Sequence, residues 1–115
     1  MITAVLYREG SNLTGCRIEG HSGRANAGSD IVCAAVSILG CTCVNALESV
    51  CGVIPEITEY NEDSGVLAFE LPPMTEKENE KTQIVMKTLR QGLKDLAEAY
   101  PQNVTFSIKE RRKQQ

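Results

Sequence analysis

The chain has a single histidine, His21, and five cysteines, at positions 16, 33, 41, 43 and 51. Any imidazole chemistry must therefore run through His21. Cys33 is the thiol best placed to join it. Ser29 or Asp30 can cap a helix starting there, which puts Cys33 in its first turn. Unpaired N–H groups and the helix dipole at that end favour thiolate over thiol. His21 opens the stretch HSGRANAGSD, residues 21–30, a glycine-bearing loop that must return to the same helix. An imidazole within reach of a thiol can take its proton and later hand it to a leaving amine, which is the chemistry of acyl transfer. Asp30 can orient the imidazole or hold the loop. Ser37, one helical turn beyond Cys33 on the same face, can bond the sulfur or a substrate carbonyl. Ser22, Gly23, Gly28 and Ser29 supply the loop with turn-forming residues. Plainer readings stand beside these: a core cysteine, a surface histidine, an N-cap aspartate and a serine bonded back to a helix carbonyl.

Metal and phosphate chemistry fit less well. Cys41 and Cys43 are two positions apart, so on a helix their thiols point about 200° apart and cannot share one zinc. No C-x-x-C occurs, and Gly20-His21-Ser22-Gly23 lacks the spacing of a phosphate-binding loop. The spacing therefore gives no expectation of a metal site.

The elements that must hold these residues are legible as alternation and helical spacing. Residues 2–8 and 13–20 read as a strand hairpin around Gly10-Ser11-Asn12. From Asp30 to Cys51, apolar residues from Ile31 to Val50 recur at helical spacing, and Glu48 is the only charge after Asp30. Such a helix is buried, or sets a second face against a partner chain; Gly40 interrupts it. Residues 53–60 and 65–71 read as two more strands joined by the polar turn 61–64, with Pro55 at a strand start or edge. Thr75 and Glu78 match a capping box that opens a helix to about Ala99, with a stripe of Val85, Leu89, Leu93, Leu96 and Tyr100. Pro101 ends it, and residues 103–109 alternate as a last strand. The order ββ-α-ββ-α-β predicts an α+β fold, a largely antiparallel or mixed sheet with two helices packed on it as a sandwich, in one domain over residues 1–115.

Composition narrows the function. The chain has 115 residues, 42% apolar and 23% charged, with a net charge of −3. A dominant nucleic-acid or membrane-surface role needs a basic face that this charge balance does not provide. No apolar run reaches the roughly 18 residues needed to span a bilayer. The first residues lack the layout of a signal peptide, and an odd number of cysteines fits thiols in a reducing compartment, so a cytoplasmic location is expected. Between Glu56 and Glu80 eight acidic residues face one lysine, and the tail from Lys109 is basic. Both read as solvated surface, or the acidic stretch as a face for a basic protein.

The string Gly20-His21-Ser22-Gly23, then Gly28-Ser29-Asp30-Ile31-Val32-Cys33-Ala34-Ala35-Val36-Ser37, resembles the signature of the ribosomal-processing cysteine protease family, Prp. There it runs G-H-A-G, a short loop, then G-x-D-I-V-C-A-A-V-S. Ser22 stands where alanine is more usual. The resemblance implies a small cytoplasmic, homodimeric endopeptidase that removes a short N-terminal extension from large ribosomal subunit protein twenty-seven. It places the nucleophile on Cys33 and the catalytic histidine on His21, with Asp30 and Ser37 in support. It makes Ser22 to Ser29 a loop that opens for the substrate and calls for an apolar groove beside Cys33. Backbone N–H groups near Val32 to Ala34 would then hold the oxyanion. Cys16, Cys41, Cys43 and Cys51 receive no role. The rival from a different class is a non-catalytic ribosome-associated or regulatory α+β module with Cys33 buried; nucleic-acid binding through the basic tail ranks last.

Overall fold

A computed structural model of the chain describes residues 1–21 and 27–111, and the backbone alone of residues 27–30. Five strands and two helices follow in the order expected: β1 (Ile2–Glu9), β2 (Asn12–Glu19), α1 (Ala27–Ser49), β3 (Glu56–Asn61), β4 (Val66–Glu70), α2 (Glu76–Ala99) and β5 (Val104–Glu110). The sheet runs β3-β4-β2-β1-β5. Every pairing is antiparallel except β1 with β5, which is parallel and makes the sheet mixed.

Alternation along the strands puts Ile2, Ala4, Leu6, Cys16, Ile18 and Phe69 into the core, where Met86, Leu89 and Leu93 of α2 meet them. The other side of the sheet carries charged pairs beside Val5, Tyr7 and Ala68. Arg17 pairs there with Glu19 at 3.0 Å and Glu59 at 2.9 Å. Arg111 pairs with Glu70 and lies 3.8 Å over the Tyr7 ring. Part of the acidic stretch is thus engaged within the fold, and Arg111 of the basic tail is tied to the sheet; residues 112–115 lie outside the described residues.

The helix at 76–99 has the predicted bounds. The Thr75 side chain accepts from Glu78 N–H at 3.1 Å, and the Glu78 carboxylate accepts from Thr75 N–H at 2.9 Å, a complete capping box. Its buried stripe differs from the expected one. Met86, Leu89 and Leu93 are in the core, Val85 and Leu96 flank it, and Tyr100 is 40% exposed. Tyr100 is the C-cap, with φ −130° and ψ 62°, so its side chain has left the helical stripe.

Helix α1 corrects two expectations. By length and composition its stretch Ile31–Ser49 is apolar enough to cross a membrane, contrary to the expectation that no such stretch occurs. The few polar residues that interrupt it hide this from a search for one unbroken run. In this fold its inner face, Val32, Val36, Cys43 and Leu47, is buried against the sheet and α2. Gly40, the apparent interruption, has a packing reason: a Cβ there would stand 3.2 Å from Leu67 and 3.3 Å from Ile18. Second, α1 begins at Ala27, so Ser29 and Asp30 lie inside its first turn and neither is the N-cap.

Candidate active site

Cys33 is nearly two turns into α1, about 9 Å along the axis from its first residue at 1.5 Å per residue. The dipole effect is concentrated in the first turn, so the helix end is not its immediate neighbour. The amide groups of Val32 to Ala34 also lie past that first turn, where N–H groups donate to carbonyls four residues back. They are not the spare donors an oxyanion would need.

His21 is placed by the other end of the sheet. Gly20 N–H donates to Gly65 O at 3.0 Å, extending the β2–β4 ladder by one step. The Met1 ammonium donates to the His21 carbonyl at 2.7 Å. Beyond these backbone ties, His21 Nε2 lies 2.6 Å from the carbonyl oxygen of Asp63, in the turn between β3 and β4. A carbonyl can only accept, so Nε2 carries the proton and in the neutral ring Nδ1 keeps its lone pair. Gly65 lets the ring lie against the turn: at φ +68°, a Cβ there would stand 2.9 Å from His21 Cε1 and 2.7 Å from Gly20 O.

These two constructions meet at one cleft of about 380 Å³. His21, Cys33 and Ser37 all line it, over a floor that includes Ile2, Ile18 and Val66. Cys33 is half-buried; His21 and Ser37 are exposed. A second cavity, about 330 Å³, shares Cys41, Tyr60 and Leu67 with the first and adds Val44, Asn45 and Ile57. Together they make a groove between α1 and the β3–β4 hairpin. On α1 its wall is Cys33, Ser37, Cys41 and Val44, spaced four, four and three residues apart and so on one face.

Across the groove, Ile57 and Tyr60 are three residues apart and would point to opposite sides of a regular strand. A register shift between Ile57 and Glu59 corrects this, so that both side chains reach the groove. Such bulges characteristically re-aim side chains beside a site.

All five cysteines are thiols. Burial pushes the Cys16 thiol up to about 12, with nearby Cys43 adding to the shift, and burial also raises Cys43. These two serve the core. The side chain of Asp30 is not among the described groups, nor are residues 22–26, so the expected gating loop lies largely outside the described residues. Gly28 and Ser29, expected in that loop, belong to the backbone of α1. Among the described residues no group of three His, Cys, Asp or Glu side chains is arranged to hold a metal.

Of the residues singled out by type and spacing, His21, Cys33 and Ser37 line the cleft. Cys41 was within reach of the same four-residue rule, but Tyr60, Ile57 and the Asp63 carbonyl were not. Their place depends on pairing across the sheet and on a bulge, neither of which has a local signature.

A thiol and the chain's one imidazole line the same mainly apolar cleft, the two groups that a cysteine hydrolase needs. The chain belongs to the cysteine protease Prp family, whose model matches residues 1–105. The ribosomal processing cysteine protease Prp of Bacillus subtilis is 28% identical over 106 residues, covering 90% of this chain and 94% of the relative. That of Staphylococcus aureus is 26% identical over 110 residues, 95% and 100% of the two chains. Among solved structures, SMU.848 from Streptococcus mutans superposes with a TM-score of 0.86 at 35% identity, covering 96% of each chain. The S. aureus protease with a covalently linked product peptide superposes at 0.79 and 25% identity, over 94% of this chain and 99% of that one. The protein is a cysteine protease of α+β fold, and the non-catalytic alternative gives way to that membership.

Proposed function

We propose that the protein is a cytoplasmic endopeptidase that removes the N-terminal extension of large ribosomal subunit protein twenty-seven, using Cys33 and His21 as its dyad within a single domain. The observation that carries this reading is the convergence of His21, from the end of β2, and Cys33, from α1, on one mainly apolar cleft. The names of the curated relatives, and the S. aureus structure with a covalently linked product peptide, support the ribosomal substrate and the covalent route.

In this mechanism His21 takes the Cys33 proton and the thiolate attacks the scissile carbonyl. The tetrahedral intermediate collapses as the imidazolium returns its proton to the leaving amine, and water resolves the acyl-enzyme. Activation of the thiol is assigned to His21, because Cys33 lies beyond the first turn of α1. The Ser37 hydroxyl, one turn after Cys33 and in the cleft, is a donor for the developing oxyanion in place of the helical amides. Asp30 supports the site from the first turn of α1, and the segment from Ser22 to Ser29, with Gly23 and Gly28, admits the peptide. No cofactor enters. The substrate lies along the groove between α1 and the β3–β4 hairpin, with apolar side chains against Val44, Ile57 and Tyr60. The protein works as a homodimer and uses neither nucleic acid nor membrane as a partner. Its pairing surface is the outer face of α1, where Ile31 and Ile38 are 62% and 66% exposed.

The test is incubation of purified protein with the N-terminally extended ribosomal protein, read by mass spectrometry. One cut near the N-terminus, absent in Cys33→Ala, is expected; an intact substrate with the wild-type enzyme would refute the substrate assignment. Sedimentation at micromolar concentration should return a dimer, and a monomer would remove α1's outer face as an interface.

A further inference from the structure

The mechanism above leaves one contact unused. A cysteine–histidine pair works best when a third group holds the imidazole in the right tautomer and orientation. In this chain the Asp63 carbonyl has that position, 2.6 Å from His21 Nε2. A backbone carbonyl is only as well placed as its turn. The Asn61 side chain fixes this turn: its Oδ1 accepts from Asp63 N–H at 2.9 Å and from Ser64 N–H at 3.1 Å. Asn61 closes β3 opposite Val66, and Gly65 closes the loop at positive φ with His21 lying against it. The turn thus has an internal lock, and among the described residues it makes two hydrogen bonds to the segment carrying the imidazole: the Asp63 carbonyl on Nε2–H and the Gly65 carbonyl on Gly20 N–H.

We propose that the β3–β4 turn is the orienting third member of the active site, and that Asn61 is a positioning residue acting through the Asp63 carbonyl on His21. The inference rests on the reading of His21 as the catalytic base. With Nε2–H held by Asp63 O, the Nδ1 lone pair accepts the Cys33 proton as the S–H bond breaks. The resulting imidazolium keeps its Nε2–H bond to the carbonyl and gives the Nδ1 proton to the leaving amine nitrogen. Asn61 can play this part without touching substrate or sulfur, because it sets only the carbonyl's position. Aspartate at 61 can accept the same two N–H bonds; alanine can accept neither.

The single histidine makes the test clean. The imidazole of uniformly ¹⁵N-labelled protein is observed by long-range proton–nitrogen correlation through a pH series, and the neutral ring is read on the alkaline plateau where its nitrogen shifts no longer change. Wild type and Asn61→Asp should show the proton on Nε2, with a visible, hydrogen-bonded N–H resonance. Asn61→Ala should lose that resonance, and its kcat should fall about tenfold with KM within about twofold, since ground-state binding is untouched. Asn61→Asp should restore kcat. A neutral wild-type ring protonated on Nδ1 would overturn the proposal, as would Asn61→Ala with the resonance and kcat of the wild type. Should Asn61→Ala fail to fold, the wild-type tautomer and the kcat of Asn61→Asp still decide the matter. The resonance is read without turnover, so this result stands apart from the dyad assignment, which is tested by cleavage with the Cys33 and His21 variants.

Discussion

The two helices of this protein have comparable lengths and different work. Helix α2 is amphipathic, capped at its start by Thr75 and Glu78, and puts one face into the core. Helix α1 is apolar almost all round, with Val32, Val36, Cys43 and Leu47 in the core and Cys33, Ser37 and Cys41 in the cleft. An amphipathic pattern marks a helix with one apolar contact, whereas a helix apolar on several sides has more than one surface to serve. Here the second surface of α1 is the wall of the cleft and of the groove that continues it. The contrast extends to the thiols. Cys16 and Cys43 are buried and held protonated by desolvation, while Cys33 and Cys41 line a cleft open to solvent.

This contrast predicts that changes on the cleft side alter activity and changes at α2 or in the core alter stability. The largest effect short of removing the dyad belongs to Gly65→Ala. Its Cβ has no room beside His21 and Gly20 O, and φ +68° adds strain for any side chain. A loss of about 100-fold in kcat/KM is expected, equal to roughly 2.7 kcal/mol. Next is Tyr60→Ala, which removes a wall shared by both cavities. Peptide kcat/KM should fall about tenfold through KM, roughly 1.4 kcal/mol, with an unchanged thermal midpoint. Conversely, Thr75→Ala should cost about 1 kcal/mol in denaturant unfolding and leave kcat/KM within twofold, because a cap is lost far from the groove.

A different kind of effect is one of pH, confined to strongly alkaline solution. An unfolded Cys16 thiol titrates near 9.0 and the folded one near 12. Below pH 9 both states hold the proton and stability is intact; as pH rises toward 12 the unfolded chain releases it first, so stability falls across that window. Chemical denaturation against pH should show this slope, and Cys16→Ala should flatten it. Activity lost by Thr75→Ala, or stability lost by Tyr60→Ala without a change in KM, would break the division.

Much of this was legible from local pattern. The element order, the bounds of α2 and its capping box are written in short-range spacing, and so are His21, Cys33 and Ser37. The start of α1 was not. Ser29 and Asp30 look like caps, yet the helix begins at Ala27, which moves Cys33 out of the first turn. The groove's far wall was also hidden, because Ile57 and Tyr60 share a face only through a bulge. The partner of the imidazole was hidden for a further reason. It is a backbone carbonyl 42 residues away in the chain, and carbonyls have no residue type to recognise.

The central claim, that Cys33 and His21 act as one unit in this cleft, is tested most directly by a kcat/KM cycle over Cys33→Ala, His21→Ala and the double variant. Residues that act together lose their effect together, so each single change should cost about 10³-fold or more and the double change no further loss. Cleavage by His21→Ala within about tenfold of the wild type, or losses that multiply in the double variant, would contradict the account.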